Sequence, residues 1–118
     1  MQRRFLKSKI HRATVTDSDL NYVGSISLCP KLMEAADILE NEEVNILNCN
    51  NGARFNTYAI TGKPNDVVLN GAAARLIQPG DIILILTYCG LNEEEIATNK
   101  PRIILVDAEN NIANTISN

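Results

Sequence analysis

The sequence predicts a mainly β fold, a small barrel with one or two short helices. Short apolar segments recur along the chain and are separated by turn sequences rich in Gly, Asn, Pro and Asp, which is typical of short strands joined by tight turns. Only one segment has apolar residues at helical spacing. The 118 residues are enough for one core and too few for two independent ones, so residues 1–118 are expected to form a single domain.

The first part of the chain is predicted to contain one strand and one helix. Residues 4–16 alternate loosely between apolar and polar side chains and predict a strand. Residues 17–19 have the sequence Asp-Ser-Asp, which favours a turn. Pro30 suits the first position of a helix, and apolar residues recur after it at helical spacing, so a helix is predicted over residues 30–40.

Strands and turns dominate the rest of the chain. Residues 50–52, Asn-Asn-Gly, favour the left-handed conformation of a tight hairpin turn. Residues 71–74 predict a short helix or turn, residues 92–96 predict an acidic turn or helical piece, and the polar tail from residue 107 onward is expected to be frayed. The predicted strands are 44–49, 54–61, 67–69, 82–88 and 103–106.

The composition excludes several classes of protein. Hydrophobic residues make up 45% of the chain and charged residues 21%, the proportions of a globular protein rather than a disordered one. With 4% aromatic residues and no Trp, the core must be aliphatic. A net charge of −3 argues against a nucleic-acid or anionic-membrane partner. No apolar run approaches the roughly 20 residues of a membrane span, and the basic N-terminus lacks the apolar stretch of a signal peptide, so a cytoplasmic protein is expected.

Metal and nucleotide chemistry are not indicated by the sequence. His11 is the only histidine, and Cys29, Cys49 and Cys89 are too widely spaced for a Cys-x-x-Cys site or a disulfide framework. Free thiols and no bound metal are therefore expected. The chain also lacks the glycine-rich motifs that bind nucleotide phosphates.

The strand predicted over residues 54–61 carries a polar face. Alternation places Arg54, Asn56 and Tyr58 on one side of it, which puts an anion anchor near a phenol. A solvent-facing arginine and a tyrosine at the rim of the core explain the same pattern, and these residues alone favour that explanation.

The first strand carries the only histidine. Alternation puts Lys9 and His11 on one face of that strand, and Ile10 and Arg12 on the other. By itself, His11 is better explained by a structural hydrogen-bonding role than by a catalytic one.

Two segments of small residues are also ambiguous alone. The pair Gly24-Ser25 is typical of an ordinary turn. The run of residues 70–73, Asn-Gly-Ala-Ala, either makes a tight turn from strand to helix or lets a ligand approach the backbone amides closely.

Together, however, these segments resemble the signatures of the pyruvoyl-dependent aspartate 1-decarboxylase family. Each segment alone is a modest match, but they occur in order and at the family's spacing over about residues 1–88, which makes the match specific. The segments are residues 9–16 (KIHRATVT), 19–25 (DLNYVGS), 51–60 (NGARFNTYAI), 70–74 (NGAAA) and the turn at 79–81 (PGD).

The resemblance implies a fold and an activity. The family fold is a double-psi β-barrel, and its members assemble as homotetramers with active sites between subunits. The implied reaction converts L-aspartate to β-alanine and CO2 for pantothenate biosynthesis, in the cytoplasm. An accessory maturation protein is a further partner that the resemblance allows.

The resemblance also implies that the chain cleaves itself between Gly24 and Ser25. The products would be a β chain of residues 1–24 and an α chain of residues 25–118. Ser25 would become a covalently bound pyruvoyl group, which binds the substrate amine as a Schiff base, so neither a metal nor pyridoxal phosphate is expected. Thr57 and Asn70 match the residues that assist cleavage, and Gly24 is expected to supply backbone freedom that other residues lack.

The same resemblance assigns roles toward the substrate. Tyr58 matches the proton donor, and Arg54 is suited to clamp a carboxylate with paired hydrogen bonds. His11 and Tyr22 match supporting residues of the site. The implied substrate-binding residues are Lys9, Arg54, Thr57, Gly71, Ala72 and Ala73.

Two other functions remain open at this point. The chain could be a small β-barrel binding module that never cleaves. It could instead be a hydrolase that uses Ser25 with His11, although no third residue is evident to orient the histidine. Only the decarboxylase is expected to cleave itself at Gly24–Ser25, so this cleavage distinguishes it from both alternatives.

Overall fold

The mainly β fold is confirmed by a computed structural model that describes residues 1–117. This part of the chain contains nine strands, two short α-helices and one 3₁₀ helix. The strands are β1 (Arg3–Thr14), β2 (Asp17–Asp19), β3 (Ser25–Leu28), β4 (Glu43–Asn48), β5 (Arg54–Thr61), β6 (Val67–Asn70), β7 (Ile82–Leu91), β8 (Arg102–Val106) and β9 (Ile112–Ser117). The helices are α1 (Pro30–Ala35), the 3₁₀ helix (Gly71–Arg75) and α2 (Glu93–Ile96).

The strands form one sheet in the order β2-β6-β3-β5-β4-β7-β1-β8-β9. Three neighbouring pairs are parallel (β1 with β8, β2 with β6, β3 with β5) and the other five are antiparallel, an arrangement that agrees with the expected double-psi β-barrel. The hairpin between β4 and β5 is present, and Gly52 in its turn has a φ of +76°. Within residues 1–117, no helix has both the length and the apolar character to cross a membrane.

A row of isoleucines crosses the longest strands and forms the centre of the core. Ile46, Ile85, Ile10 and Ile104 are neighbours in register on β4, β7, β1 and β8, and all four are fully buried. Branched side chains of this kind pack well on a pleated sheet, and burying each contributes about 1.5–3 kcal/mol. The aliphatic core expected from the composition is therefore confirmed.

Four elements differ from the prediction. Strand β3 was not among the predicted strands. Residues 17–19 were predicted to turn, but they form the short edge strand β2, whose backbone pairs with β6. The tail was predicted to fray, but β9 pairs antiparallel with β8 although its side chains are exposed. Helix α1 ends at Ala35 instead of residue 40, because Asp37 takes a left-handed φ of +54°. The last residue of the predicted tail, 118, lies outside the described residues.

The position of β6 determines how the chain reaches the candidate site. Strand β6 lies between β2 and β3, which are consecutive in the chain. Residues 20–24 therefore have to pass across the end of β6 to connect its two neighbours. This crossing carries the Gly24–Ser25 bond.

Candidate active site

Ser25 is a buried serine at the first position of β3. It lies opposite Asn70, the last residue of β6, and both are almost completely buried. The Asn70 side-chain amide donates hydrogen bonds of 3.0 Å to the hydroxyl oxygens of Ser25 and of Ser27. Burial of these polar groups is tolerated because they are hydrogen-bonded to each other.

The Ser25 hydroxyl lies close to the backbone that precedes it. It donates to the Val23 carbonyl oxygen at 3.4 Å, so its oxygen is directed back along the chain toward the peptide bond between Gly24 and Ser25. The carbonyl group of Gly24 lies in the chain between these two hydrogen-bonded groups. The arrangement suits an attack of the serine on its own backbone.

A cleft of about 380 Å³ lies beside this peptide bond, within the size range of small-molecule sites. One wall is β5, and the other is the 3₁₀ helix with the residue that follows it. Six of the residues that sequence analysis selected line the cleft together: Gly24, Thr57, Tyr58, Asn70, Ala72 and Ala73. Phe55, Asn56 and Leu76 complete its lining.

Arg54 lies next to this cleft but does not line it. Its side chain borders a separate depression together with Tyr88, and the two openings share Phe55 and Asn56. The one ion pair within residues 1–117 joins Lys7 and Glu42, so Arg54 has no carboxylate partner in this part of the chain. The guanidinium is therefore available for an external anion.

Lys9 and His11 lie far from the cleft of their own chain. They are on β1, which is separated from β5 by β7 and β4. At about 4.8 Å for each strand spacing, the path along the sheet between the two strands is about 14 Å, and neither residue lines the cleft. His11 borders a different depression, formed with β8 and the turn that follows it. Tyr22 is 54% exposed and does not line the cleft either.

The face assignment on β1 needs a correction at Arg12. The pairing register with β7 shifts between Ile10 and Ala13, and Arg12 has a φ of +66°. Arg12 is exposed whereas Ile10 is buried, so these two side chains do not share a face as simple alternation predicted. A bulge of this kind inserts one extra residue and redirects the following side chains.

The electrostatics around His11 favour its neutral form. Partial burial lowers the pKa of His11, and the positive charges of Lys9 and Arg12 lower the pKa further. A neutral imidazole can still donate or accept a hydrogen bond. Its position and charge do not support a serine–histidine pair with Ser25, which lies on another part of the sheet.

Two asparagines that sequence analysis did not assign to the site hold a wall of the cleft. Asn48 was predicted in a strand and Asn51 in the hairpin turn. The side-chain amides of Asn48 and Asn51 each donate to the Leu76 carbonyl oxygen at 3.1 Å. Asn48, which is buried, also donates to the Asp81 carboxylate at 2.8 Å. The hairpin before β5 is thus tied to the end of the 3₁₀ helix. The only signal of this in the sequence is the presence of three asparagines within residues 48–51, because a hairpin turn requires fewer.

The remaining candidate ligands are dispersed. Within residues 1–117, no group of three or more His, Cys, Asp or Glu side chains could hold a metal ion. Cys29, Cys49 and Cys89 are all free, and Cys29 is buried. The polar side chains that line the cleft are those of Asn56, Thr57, Tyr58 and Asn70, and Ser25 lies beside it.

Comparison with known proteins identifies the family. The family model described as "Aspartate decarboxylase" matches residues 1–113. The aspartate 1-decarboxylase of Syntrophomonas wolfei subsp. wolfei is 60% identical over 114 residues, which cover 95% of this chain and 97% of the relative. The enzymes of that name from Neisseria meningitidis serogroup C and Bdellovibrio bacteriovorus are 56% and 53% identical, over 99% and 95% of this chain and 94% and 90% of the relatives. The chain belongs to the aspartate decarboxylase family.

Proposed function

We propose that this chain is a cytoplasmic aspartate 1-decarboxylase, which converts L-aspartate to β-alanine and CO2 for pantothenate biosynthesis. Family membership supports the reaction, since the model and the relatives above carry this name. The observation that carries the proposal is the Ser25 hydroxyl, fixed by Asn70 beside the Gly24 carbonyl at the edge of a cleft. A non-cleaving binding module would have no need of a buried serine in this position.

The first reaction in the proposal is self-cleavage. The Ser25 oxygen attacks the Gly24 carbonyl carbon, and the amide nitrogen of Ser25 leaves, so that an ester replaces the peptide bond. Loss of a proton from the Ser25 α-carbon then expels the Gly24 carboxylate and leaves a dehydroalanine. Water hydrolyses this group, ammonia leaves, and a pyruvoyl group remains at the new N-terminus of residues 25–118.

Two side chains are placed to assist this cleavage. Asn70 holds the Ser25 oxygen through its 3.0 Å hydrogen bond, which limits the rotation of the nucleophile. Thr57 shares the cleft with Gly24, and we propose that its hydroxyl donates to the oxyanion that forms on the Gly24 carbonyl. Donors aimed at a developing oxyanion commonly contribute several kcal/mol to a rate, about 2.7–4 in measured cases.

The residues around position 25 fit the pyruvoyl group that the family uses. The pyruvoyl group supplies a ketone that binds the substrate amine and accepts the electron pair released as CO2 departs. Asn70 remains available as a hydrogen-bond donor to residue 25 after cleavage, and Ser27 remains its second acceptor. The small side chains of Ala72 and Ala73 leave the opposite wall open to a substrate of aspartate's size.

The substrate needs one carboxylate held and the other free to leave. Arg54 borders the depression next to the cleft and has no carboxylate partner within residues 1–117, and we propose that it binds one substrate carboxylate through two hydrogen bonds. Thr57 and the backbone of residues 71–73 are the remaining contacts that one chain offers. Tyr58 lines the cleft, and we propose that its hydroxyl donates a proton to the substrate α-carbon once CO2 has left.

A second copy of the chain completes the site in this proposal. Within one chain, Lys9 lies about 14 Å of sheet away from β5, and His11 and Tyr22 are also outside the cleft. A homotetramer with sites between subunits brings these residues from a neighbouring copy. Gel filtration of the purified protein tests this part separately from the chemistry.

The decisive experiment is the intact mass of the purified chain. We expect two fragments, residues 1–24 and 25–118, and a carbonyl on the larger one that borohydride traps in the presence of L-aspartate. Cleavage of the purified chain without additions also tests whether a maturation protein is needed. A chain that stays whole with or without candidate maturation proteins, and forms no β-alanine, contradicts the proposal.

A matched pair of variants assigns the nucleophile. Ser25 and Ser27 receive the same 3.0 Å hydrogen bond from Asn70, but only Ser25 follows the Gly24 carbonyl. Ser25→Ala is expected to abolish both cleavage and β-alanine formation, whereas Ser27→Ala should still cleave. If Ser25→Ala made β-alanine, the mechanism would be wrong.

A further inference from the structure

The segment that carries the cleavage bond crosses over the single residue that follows β6. Asp19, at the end of β2, and Ser25, at the start of β3, are both register partners of Asn70 on opposite sides of β6. The connection of residues 20–24 therefore spans two strand spacings, about 10 Å. It has to pass over the backbone that follows Asn70, which is Gly71.

Gly71 has no room for a side chain under this crossing. A Cβ atom added there would lie 2.6 Å from the Gly24 Cα, 2.8 Å from the Gly24 nitrogen and 3.0 Å from the Tyr22 carbonyl oxygen. All three are backbone atoms, so no rotamer change can relieve the contact. The φ of Gly71 is +66°, in the region that favours glycine.

Of the two glycines in this contact, only Gly71 has to be a glycine. The sequence had led us to expect this of Gly24. A Cβ on Gly24 would meet only the Asn70 carbonyl oxygen, at an ordinary 3.9 Å, and Gly24 is not among the glycines with positive φ. The glycine that the local geometry requires is therefore the one beneath the cleavage bond. Gly24 itself meets no such restriction.

We propose that Gly71 is a positioning residue for self-cleavage, because its bare backbone is the surface on which Gly24 rests. This inference rests on the proposed self-cleavage and adds a role that precedes any contact with substrate. With Gly71 in place, the Gly24 carbonyl is held beside the Ser25 oxygen that Asn70 fixes. A methyl group at residue 71 lifts Gly24 by close to 1 Å, and misplacements of that size can slow a reaction about 100-fold.

The test compares Gly71→Ala with Gly80→Ala. Gly80 also has a positive φ, +91°, but an added Cβ there has nothing within 4 Å. Both alanines carry the left-handed penalty of about 1–2 kcal/mol, and only the one at residue 71 meets another backbone. Cleavage is followed by intact mass from the time of purification.

We expect Gly71→Ala to cleave about 100-fold more slowly than the wild type and Gly80→Ala to cleave within a few-fold of it. Hydroxylamine, which cuts the ester, should release residues 1–24 from the wild-type precursor and not from Gly71→Ala. This result would locate the defect at the attack on Gly24. Equal cleavage rates for the two alanine variants would overturn the inference.

Stability is measured where cleavage cannot occur. Both substitutions are placed in the Ser25→Ala chain, and thermal unfolding is followed by circular dichroism. We expect both chains to fold, with the lower melting temperature for Gly71→Ala. If only the Gly71→Ala chain fails to fold, slow cleavage reflects lost structure and the positioning role is rejected. If the wild type itself never cleaves, the proposed function fails first and the two failures are distinguished.

Discussion

Two buried serines in this sheet have the same chemistry and different surroundings. Ser8 and Thr87 lie opposite each other on β1 and β7, and their buried hydroxyls form a hydrogen bond with each other. Ser25 and Asn70 lie opposite each other on β3 and β6 in the same way. Both pairs satisfy their polar groups in the interior.

The two serines differ in how their backbones are paired with neighbouring strands. Ser8 is paired on both sides, with Thr87 on β7 and Arg102 on β8. Ser25 is paired with Asn70 on one side, and the pairing of β3 with β5 begins only at Ile26. The peptide bond before Ser25 therefore lies at a strand end next to the cleft. Burial alone does not make a serine a candidate nucleophile; an unpaired carbonyl beside it does.

The largest expected effect is a loss of catalytic rate near Ser25 with the fold unchanged. Tyr58→Phe removes the proposed proton donor and keeps the ring. Proton transfer by a positioned side chain commonly raises the rate of a reaction about 10²–10⁴-fold. We expect kcat per pyruvoyl group to fall in that range and cleavage by intact mass to continue. An unchanged kcat would remove Tyr58 from this role.

The opposite pattern is expected at Ser8, where a substitution lowers the stability and leaves cleavage unchanged. Ser8→Ala leaves the buried Thr87 hydroxyl without its partner, which costs about 1–3 kcal/mol. Urea unfolding should show this loss, while the cleavage rate of the folded chain stays that of the wild type.

A double variant provides the control for this prediction. Ser8→Ala combined with Thr87→Val removes both hydroxyls, and replacing both partners by apolar groups can be nearly neutral. The double variant should therefore be more stable than Ser8→Ala alone. A double variant that is less stable would show that the hydrogen bond is not the cause.

A smaller effect is expected at the wall of the cleft. Asn51→Ala removes one of two donors to the Leu76 carbonyl, and Asn48 retains the other. We expect a stability loss of about 0.5–1.5 kcal/mol and a rise in KM with little change in kcat. Asn114→Ala, an exposed asparagine on β9, is the control and should leave KM unchanged. A fall in kcat with constant KM would contradict this role of Asn51.

The smallest effect concerns pH. The folded chain lowers the pKa of His11 from its ordinary value of 6.5, so the unfolded chain takes up this proton first as the pH falls. The contribution of His11 to stability is therefore complete above pH 6.5 and declines below it. Melting temperatures between pH 7.5 and 5.5 should fall less steeply for His11→Gln than for the wild type. A steeper fall in the variant would contradict the direction of the shift.

The sequence predicts those parts of the molecule that depend on one strand at a time. Alternation along β5 correctly places Phe55 toward the core and Asn56 on the polar face. Family signatures select six residues that the fold brings to one cleft. Each of these results follows from local order in the chain.

Features that depend on two distant segments could not be predicted in this way. Strand β2 pairs through its backbone alone, so its Asp-Ser-Asp sequence gives no strand signal. The contact between Gly71 and Gly24 depends on β6 lying between β2 and β3. The hydrogen bonds of Asn48 and Asn51 to Leu76 likewise require the packed hairpin. No periodic pattern of residues in the sequence indicates any of these arrangements.

The double pairing of β1 determines how a cut molecule would behave. Strand β1 pairs with β7 over residues 3–14 and with β8 over residues 8–11, and Ile10 is in the central row of isoleucines. Once the bond after Gly24 is broken, the short piece stays bound as a non-covalent partner of the long one. Recovery from denaturation then becomes a second-order association, whose rate depends on protein concentration. The uncut chain rebuilds its own sheet in a first-order step before any subunits assemble, so a dilution series followed by the secondary-structure signal would distinguish the two forms.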